Sequence, residues 1–185
     1  QYQAAGHVFR VSRGSFFQVN RFLIDALVNE VTHDIAGGSI VDLYAGVGLF
    51  SLPLAHRAGR IEAVERGTSA YRDLEANTAE WIDRVFPVKS PTEDYLKGLS
   101  EAPDYVIADP PRAGLGPEAT QELLRIGASH VILVSCDPAT LARDLKTLRN
   151  GYEMNRVTLV DLFPQTFHFE TVVHLSAKPE TPVAS

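Results

Sequence analysis

One stretch constrains this chain more than any other: Ile40-Val41-Asp42-Leu43-Tyr44-Ala45-Gly46-Val47-Gly48-Leu49-Phe50. It reads as a buried strand running into a glycine turn and then a helix. An acid, Asp42, sits on the strand, and Gly46 and Gly48 follow it at alternate positions. Glycine lets a backbone pass close to a ligand where a Cβ would collide. A helix that begins after such a turn directs unpaired N–H groups and the positive end of its dipole at that ligand. The third glycine of the dinucleotide pattern G-x-G-x-x-G is replaced here by Ser51, so the turn departs from a pyrophosphate site. An early acid with a short G-x-G points to S-adenosylmethionine, a nucleoside ligand without a pyrophosphate. An ordinary strand-to-helix turn can carry the same residues, so the rest of the chain has to decide.

Strand and helix patterns alternate on both sides of that turn. Val8 to Val11 reads as a short strand, and 14–20 as a loop whose Asn20 caps a helix from about Arg21 to Ile35, stopped by Gly37-Gly38. Ser39 to Tyr44 is a strand, Leu49 to His56 a helix, Arg60 to Glu65 a strand and Thr68 to Trp81 a helix. Val85 to Val88 is a short strand and Thr92 to Leu99 a short helix. Asp104 to Asp109 is a strand broken by Pro110-Pro111, and Pro117 to Ile126 is a helix with proline at its start. His130 to Cys136 is a strand, and Pro138 to Leu148 a helix ended by Asn150-Gly151. Two extended runs then follow, Val157 to Phe163 and His168 to Leu175, with the spacing of an antiparallel hairpin. Alternating units of this kind predict a doubly wound α/β sheet, mostly parallel, with helices on both faces. Such a sheet with a final antiparallel hairpin is the pattern of the Rossmann-like class I methyltransferases that use S-adenosylmethionine. We divide the chain into an N-terminal strand and loop (1–20), a methyltransferase domain (21–178) and a flexible tail (179–185).

Composition sets limits. The chain has 185 residues, 45% of them hydrophobic, enough for one domain with a full core. A net charge of -6 gives no support to broad electrostatic binding of nucleic acid. One cysteine, Cys136, excludes an internal disulfide and a cysteine-only metal site, and the six histidines form no metal-ligand spacing. No bound metal is expected. We find no signal-peptide pattern and no apolar run long enough to cross a bilayer, so a cytoplasmic protein without membrane contact is expected. The start, Gln1-Tyr2-Gln3, has no initiator Met and suggests a fragment of a longer protein.

In doubly wound sheets ligands sit at the carboxyl ends of the strands, and the chemically distinctive residues cluster there. Glu65 closes the second core strand, where an acid can accept hydrogen bonds from both ribose hydroxyls; a solvated strand-end glutamate is the bland alternative. Asp109-Pro110-Pro111-Arg112 ends the next long strand, and its two prolines hold the loop extended. Amino-directed nucleic-acid methyltransferases place an aromatic residue after such prolines; Arg112 stands there instead, which argues against attack on an exocyclic amine. Cys136 ends a further strand. A lone cysteine after an apolar run is commonly buried filler, but its position faces the same cleft as Asp109, near a helix N-terminus that would stabilise a thiolate. Glu170 lies in Phe169-Glu170-Thr171-Val172. It is either on a solvent face or a buried acid of raised pKa, and the second kind makes a good general base. A thiolate, a carboxylate and a sulfonium methyl donor together suit methylation of uracil at C5. The thiolate adds to C6, C5 becomes nucleophilic and takes the methyl group, and the base removes the C5 proton.

At this point the sequence resembles the RNA (uracil-5-)-methyltransferase family, which acts on transfer and ribosomal RNA. The resemblance rests on Phe16-Phe17-Gln18-Val19-Asn20, Asp42-Leu43-Tyr44-Ala45-Gly46-Val47-Gly48, Asp109-Pro110-Pro111-Arg112-Ala113-Gly114, Ser135-Cys136-Asp137-Pro138, and Phe163-Pro164-Gln165-Thr166 with Glu170. It implies that Gln18, Tyr44 and Glu65 contact S-adenosylmethionine, together with Asp42, Gly46 and Gly48 of the turn. It implies that Asp109 lies beside both cofactor and target base, with Arg112 also on the substrate side. Cys136 corresponds to the nucleophile and Glu170 to the proton acceptor. Some members have Asn where Leu49 stands here. Members usually carry an upstream RNA-binding β-barrel, and some an iron–sulfur cluster; from the start of this chain and its single cysteine, neither is expected within it. The isolated chain is therefore expected to bind the cofactor well and RNA weakly, with Arg10, Arg13, Arg112 and Arg143 as candidate local contacts. Cytosine C5 enzymes use a related thiol addition, but place their cysteines differently. Two other readings stay open: a methyltransferase of small molecules or proteins, in which Cys136 is dispensable, and a cofactor-binding module without catalysis.

Overall fold

The computed structural model describes residues 1–18, 20, 22–166 and 169–179. Its centre is a seven-stranded sheet of β3 (Ser39–Leu43), β4 (Arg60–Val64), β5 (Val85–Val88), β6 (Tyr105–Ala108), β7 (His130–Ser135), β8 (Tyr152–Val160) and β9 (Glu170–Ala177). The order is β5-β4-β3-β6-β7-β9-β8. The five strands from β5 to β7 run parallel, and β9 enters antiparallel between β7 and β8. This is the doubly wound sheet with a terminal antiparallel hairpin that the sequence predicts. The order reverses between β3 and β6, and the crevice at that reversal is where a ligand fits.

Side chains alternate across the strands and divide the core into two layers. Ile40, Ile61, Ile107, Ile132, Val134 and Val172 pack with α1 (Ile24–Thr32), α2 (Ser51–Leu54) and Leu74 of α3 (Thr68–Asn77). Val41, Val64, Val106, Val131, Leu133 and Val173 pack with α4 (Thr92–Gly98), α5 (Gly116–Ile126) and α6 (Pro138–Leu148). A small third cluster joins Phe9 and Ala4 to Val47, Ile24 and Leu52. It seats an antiparallel pair, β1 (Tyr2–Ala4) and β2 (His7–Phe9), beside the glycine turn.

Several boundaries differ from the sequence reading. Helix α1 is shorter than expected, yet Asn20 does cap its entry: Oδ1 accepts from the N–H groups of Phe22 and Leu23, and its carbonyl accepts from Ile24. Gly37 and Gly38, both at positive φ, shape the entry into β3 rather than ending α1, which stops at Thr32. Helix α2 shrinks to four residues. Strand β8 begins at Tyr152, five residues earlier than its apolar pattern suggests, because it is an edge strand with exposed Glu153, Met154 and Asn155. Val157 and Leu159 are exposed further along the same edge. Val19, Arg21, Phe167, His168 and the tail from residue 180 lie outside the described residues. Among the described residues no helix is long and apolar enough to cross a membrane.

Two interactions fix the ends of β3 and β6. Asp42 is 1% exposed, and its Oδ2 accepts a 2.5 Å hydrogen bond from Ser51 Oγ of α2. Ser51 is therefore not a missing glycine but the polar partner of a buried acid. Burial raises the Asp42 pKa to about 7, and the Ser51 bond only partly offsets it. The loop after β6 is pinned to α6. Asp144 Oδ2 accepts from Leu115 N–H at 2.7 Å, Arg143 donates to the Ala113 carbonyl at 2.7 Å, and Thr140 Oγ1 donates to the Arg112 carbonyl at 3.1 Å.

Two outcomes follow. Between pH 4 and 7 the unfolded chain holds fewer protons at Asp42 than the folded one, so this group makes stability fall as pH rises, and flatten above. Unfolding of Asp42→Asn, followed in urea from pH 4.5 to 8, should show a decline shallower by about 1 kcal/mol per pH unit between pH 5 and 7. Gly114 has φ +74, and a Cβ there would fall on Asp144 Oδ2 and lie 2.8 Å from the Arg143 guanidinium. Gly114→Ala should cost about 1–3 kcal/mol, read from the same urea transitions.

Candidate active site

Four strand ends present polar residues to one face. On β3 Ile40 and Asp42 point the same way, and the parity continues through Ile107 to Asp109 after β6, Val134 to Cys136 after β7, and Val172 to Glu170 on β9. Ser135 pairs with Thr171 in the β7–β9 ladder, which sets Cys136 level with Glu170. The three acids and the thiol are electrostatically linked: Glu170 and Asp42 both push up the Asp109 pKa, and Glu170 and Asp109 push up that of Cys136. The sequence-predicted Asp42, Asp109, Cys136 and Glu170 thus stand in a row at the carboxyl edge of the sheet.

Each has a distinct environment. Burial first, then Glu170 and Asp42, raise Asp109 to about 8, so it is largely neutral at pH 7. Glu170 is 6% exposed, and burial raises its pKa too, against a hydrogen bond from Gln18 and the nearby Arg112 charge. Its Oε2 is buried with no hydrogen-bond partner among the described residues. The alternative of a solvent-facing Glu170 is thereby removed. Cys136 is half-buried rather than sealed in packing. Its thiol is pushed above the ordinary value by burial, Glu170 and Asp109, with Arg112 opposing. This departs from the expectation that the following helix would favour a thiolate. Burial and the two acids outweigh what the helix end and Arg112 contribute, and Asp137, the N-cap of α6, already accepts from the N–H groups of Ala139 and Thr140. Gln18, 8% exposed, reaches Glu170 from the N-terminal segment.

The glycine turn adjoins this row. Tyr44 has φ +58, a left-handed conformation for a residue with a side chain. Its half-buried ring packs among the residues around α4, α5 and α6, and its hydroxyl bonds Thr92. Gly46, φ +57, has open space where a Cβ would stand; only the Tyr44 carbonyl lies as near as 4.0 Å. Gly48 serves differently, because a Cβ there would lie 2.9 Å from Leu74 Cδ1. It lets α3 pack close against the turn. Glu65, one residue past β4, accepts from Gly46 N–H at 3.0 Å through Oε2 and from Gly67 N–H through Oε1. Leu49 is partly buried against the core.

The candidate basic contacts separate. Arg112 is exposed, and its charge reaches Cys136 and Glu170. Arg143 is committed to Asp144 and the Ala113 carbonyl, so it serves the loop. Arg10 pairs with Asp73 at 3.2 Å. Two aromatics near Gln18 in the chain are exposed, Phe16 at 76% and Phe22 at 84%; from the sequence, Phe16 enters only as part of a motif and Phe22 falls within the expected helix, with no contact assigned to either. Among the described residues no group of histidine, cysteine and acidic side chains could hold a metal ion.

Known proteins are similar to this chain in sequence and in fold. An RNA methyltransferase of Thermotoga maritima, otherwise uncharacterised, is 40% identical over 172 residues, covering 90% of this chain and 39% of the relative. A similarly described protein of Aquifex aeolicus is 37% identical, covering 92% of this chain and 41% of its own. The chain therefore spans about two fifths of the curated relatives it matches. Among solved structures, the Pyrococcus abyssi tRNA (uracil-54, C5)-methyltransferase in complex with S-adenosyl-L-homocysteine aligns with a TM-score of 0.78 and 33% identity. That alignment covers 88% of this chain and 40% of the other. Magnesium protoporphyrin IX methyltransferase from Synechocystis, solved with bound S-adenosylmethionine, shares the fold at a TM-score of 0.63 and 16% identity. With the family pattern matching residues 2–178, the chain belongs to the tRNA (uracil-5-)-methyltransferase family.

Proposed function

We propose that this chain carries the catalytic centre of an enzyme that methylates C5 of a uridine in tRNA or rRNA. The observation that carries this reading is the half-buried Cys136 thiol standing level with a buried Glu170 whose Oε2 is unpartnered among the described residues. A pyrimidine needs a nucleophile at C6 and a base at C5, and this pair supplies both.

The residues around the turn fit S-adenosylmethionine. The space above Gly46 admits a ligand where any Cβ would intrude, and the Glu65 carboxylate stands at the end of the neighbouring strand, suited to two ribose hydroxyls. Asp42 is sealed behind the turn and acts through Ser51, holding the turn rather than touching the ligand. When bound, the cofactor supplies a methyl group on a sulfonium. On the protein side, the Cys136 thiol first gives its proton to solvent; the thiolate Sγ then forms a bond to C6 and moves the C5=C6 electron pair onto C5 and the adjoining ring carbonyl. The Arg112 charge favours the thiolate against the surrounding acids. Asp109, neutral at rest, can donate a hydrogen bond to the ring carbonyl where negative charge develops. After C5 has taken the methyl group, Glu170 accepts the C5 proton, the double bond re-forms and Sγ leaves. Gln18 holds Glu170 in place. RNA affinity comes chiefly from parts of the longer relatives that this chain does not span, with Arg112 as the local contact; the net charge of -6 supports that division.

Methyl transfer from S-adenosylmethionine to excess tRNA or rRNA transcript tests the reading. Cys136→Ala should lower turnover by about 10³-fold or more while cofactor affinity stays within about twofold. Wild-type chain should form a denaturation-resistant adduct with 5-fluorouracil-containing RNA, mapped to Cys136, because fluorine blocks the last proton removal. Methyl transfer surviving in Cys136→Ala would point to another substrate class. No transfer and no adduct with the wild-type chain would leave a cofactor-binding module. Glu170→Gln should stall later in the reaction, accumulating the covalent adduct on unmodified RNA that the wild type resolves.

A further inference from the structure

The segment that delivers Gln18 has little order of its own. Between β2 and α1, among the described residues, one backbone–backbone hydrogen bond outside the regular elements joins it to itself up to Gln18, Ser15 N–H to the Ser12 carbonyl at 3.1 Å. Its fixed points lie instead on α3. Asp73, fully buried, accepts from Ser12 N–H at 2.6 Å and Ser15 Oγ at 2.7 Å through Oδ2. Its Oδ1 accepts from Ser12 Oγ at 2.7 Å and pairs with Arg10 Nε at 3.2 Å. One turn further along, Asn77 closes on both sides of the Arg10 backbone: Oδ1 accepts from its N–H at 2.8 Å and Nδ2 donates to its carbonyl at 3.0 Å. The same Nδ2 donates to the Val47 carbonyl at 2.9 Å, between the two glycines of the turn. Phe17 then packs at a tilt against Phe9 and Tyr2, with ring centroids 5.5 and 5.0 Å apart, and Gln18 follows it to Glu170.

A buried carboxylate is costly unless fully partnered. Burial works to raise the Asp73 pKa, but the bonds from Ser12 and Ser15 and the Arg10 charge outweigh it and hold it below the usual carboxylate range. That many donors converging on one acid fix the segment three residues before Gln18, and Asn77 references the same segment to the glycine turn.

We propose that Asp73, together with Asn77, is a positioning residue for methyl transfer, setting where Gln18 meets Glu170 and tying that placement to the cofactor turn. The proposal rests on the reading of Glu170 as proton acceptor and of the turn as cofactor cradle. Asp73 touches neither substrate nor cofactor; it acts through Ser12 and Ser15 on Gln18. Asn77 acts through Arg10 and Val47.

A double-mutant cycle on the full chain tests it. Asp73→Ala should lower kcat about 10–100-fold with cofactor Kd within about threefold, and should accumulate the Cys136 adduct on unmodified RNA, as a misplaced Glu170 would. In a Gln18→Ala background the same change should have almost no further effect, because both act on one step. Ser15→Ala, which removes a single hydroxyl, gives a milder loss of about 3–10-fold that likewise vanishes beside Gln18→Ala, and it serves where Asp73→Ala folds poorly. Asn77→Ala should in addition weaken cofactor binding about 5–10-fold. Effects of Asp73 and Gln18 that simply multiply would overturn the proposal, as would turnover that falls only in step with the folded fraction. Hydrogen exchange separates the two readings: the amides of residues 12–18 should exchange at least tenfold faster in Asp73→Ala whether or not any RNA is methylated. Unchanged exchange sinks the positioning role and leaves the catalytic reading standing. Faster exchange and intact Asp73–Gln18 coupling, with methyl transfer persisting in Cys136→Ala, would retain the positioning role and remove the covalent mechanism.

Discussion

The site depends on the antiparallel pairing of β9 against β7. A parallel sheet alone would bring Asp42, Asp109 and Cys136 to one edge, since each ends a strand running the same way. It could not add the start of a strand to that edge. Because β9 runs in the opposite direction, its first residue, Glu170, arrives where β7 finishes, and the Ser135–Thr171 register places acid beside thiol. The period of two along each strand then fixes the face. A slip of one residue in β9 would turn Glu170 toward the opposite helical layer. Val172 and Val173, each buried in a different layer, hold it against such a slip.

Bringing three carboxyl groups and a thiol to one face sets a conflict of like charges. The structure resolves it by keeping acids neutral rather than by surrounding them with cations. Asp42 and Asp109 hold their protons near neutral pH, and Arg112 is the cation whose charge reaches both the thiol and Glu170. The pattern of raised acids in a crevice is what catalytic centres show. It also explains why the thiol is not a resting thiolate. Burial and the neighbouring Glu170 and Asp109 together outweigh the one opposing cation, Arg112.

The fold was legible because its elements end on their own motifs. Apolar runs closing in Asp109, Cys136 and Glu65 mark strand ends, and the sequence predicts α6 from Pro138 to Leu148 as it is observed. The row of Asp42, Asp109 and Cys136 at one edge is implicit in the parity of Ile40 with Asp42, Ile107 with Asp109, and Val134 with Cys136. What stayed hidden was set by tertiary context. Edge strand β8 carries polar residues at Glu153, Asn155 and Arg156 that mask its beginning. Strand β1 has three residues and makes sense only beside β2. Asp73 and Asn77 look like solvated helix positions in the sequence, and only the packing of Arg10 to Ser15 over α3 shows them buried or bridged. The commitment of Arg143 to the Ala113 carbonyl could not be read from spacing either.

Tyr44 gives the glycine turn a further property. Its left-handed backbone carries a steric cost of about 1 kcal/mol or more that a glycine would avoid. The ring wedged in the layer of α4, α5 and α6, with its hydroxyl on Thr92, keeps the chain in that conformation. The loop is thus preorganised: folding itself settles its shape before any guest arrives. A cofactor of the kind proposed above would meet a turn already in shape and lose little free energy to ordering it.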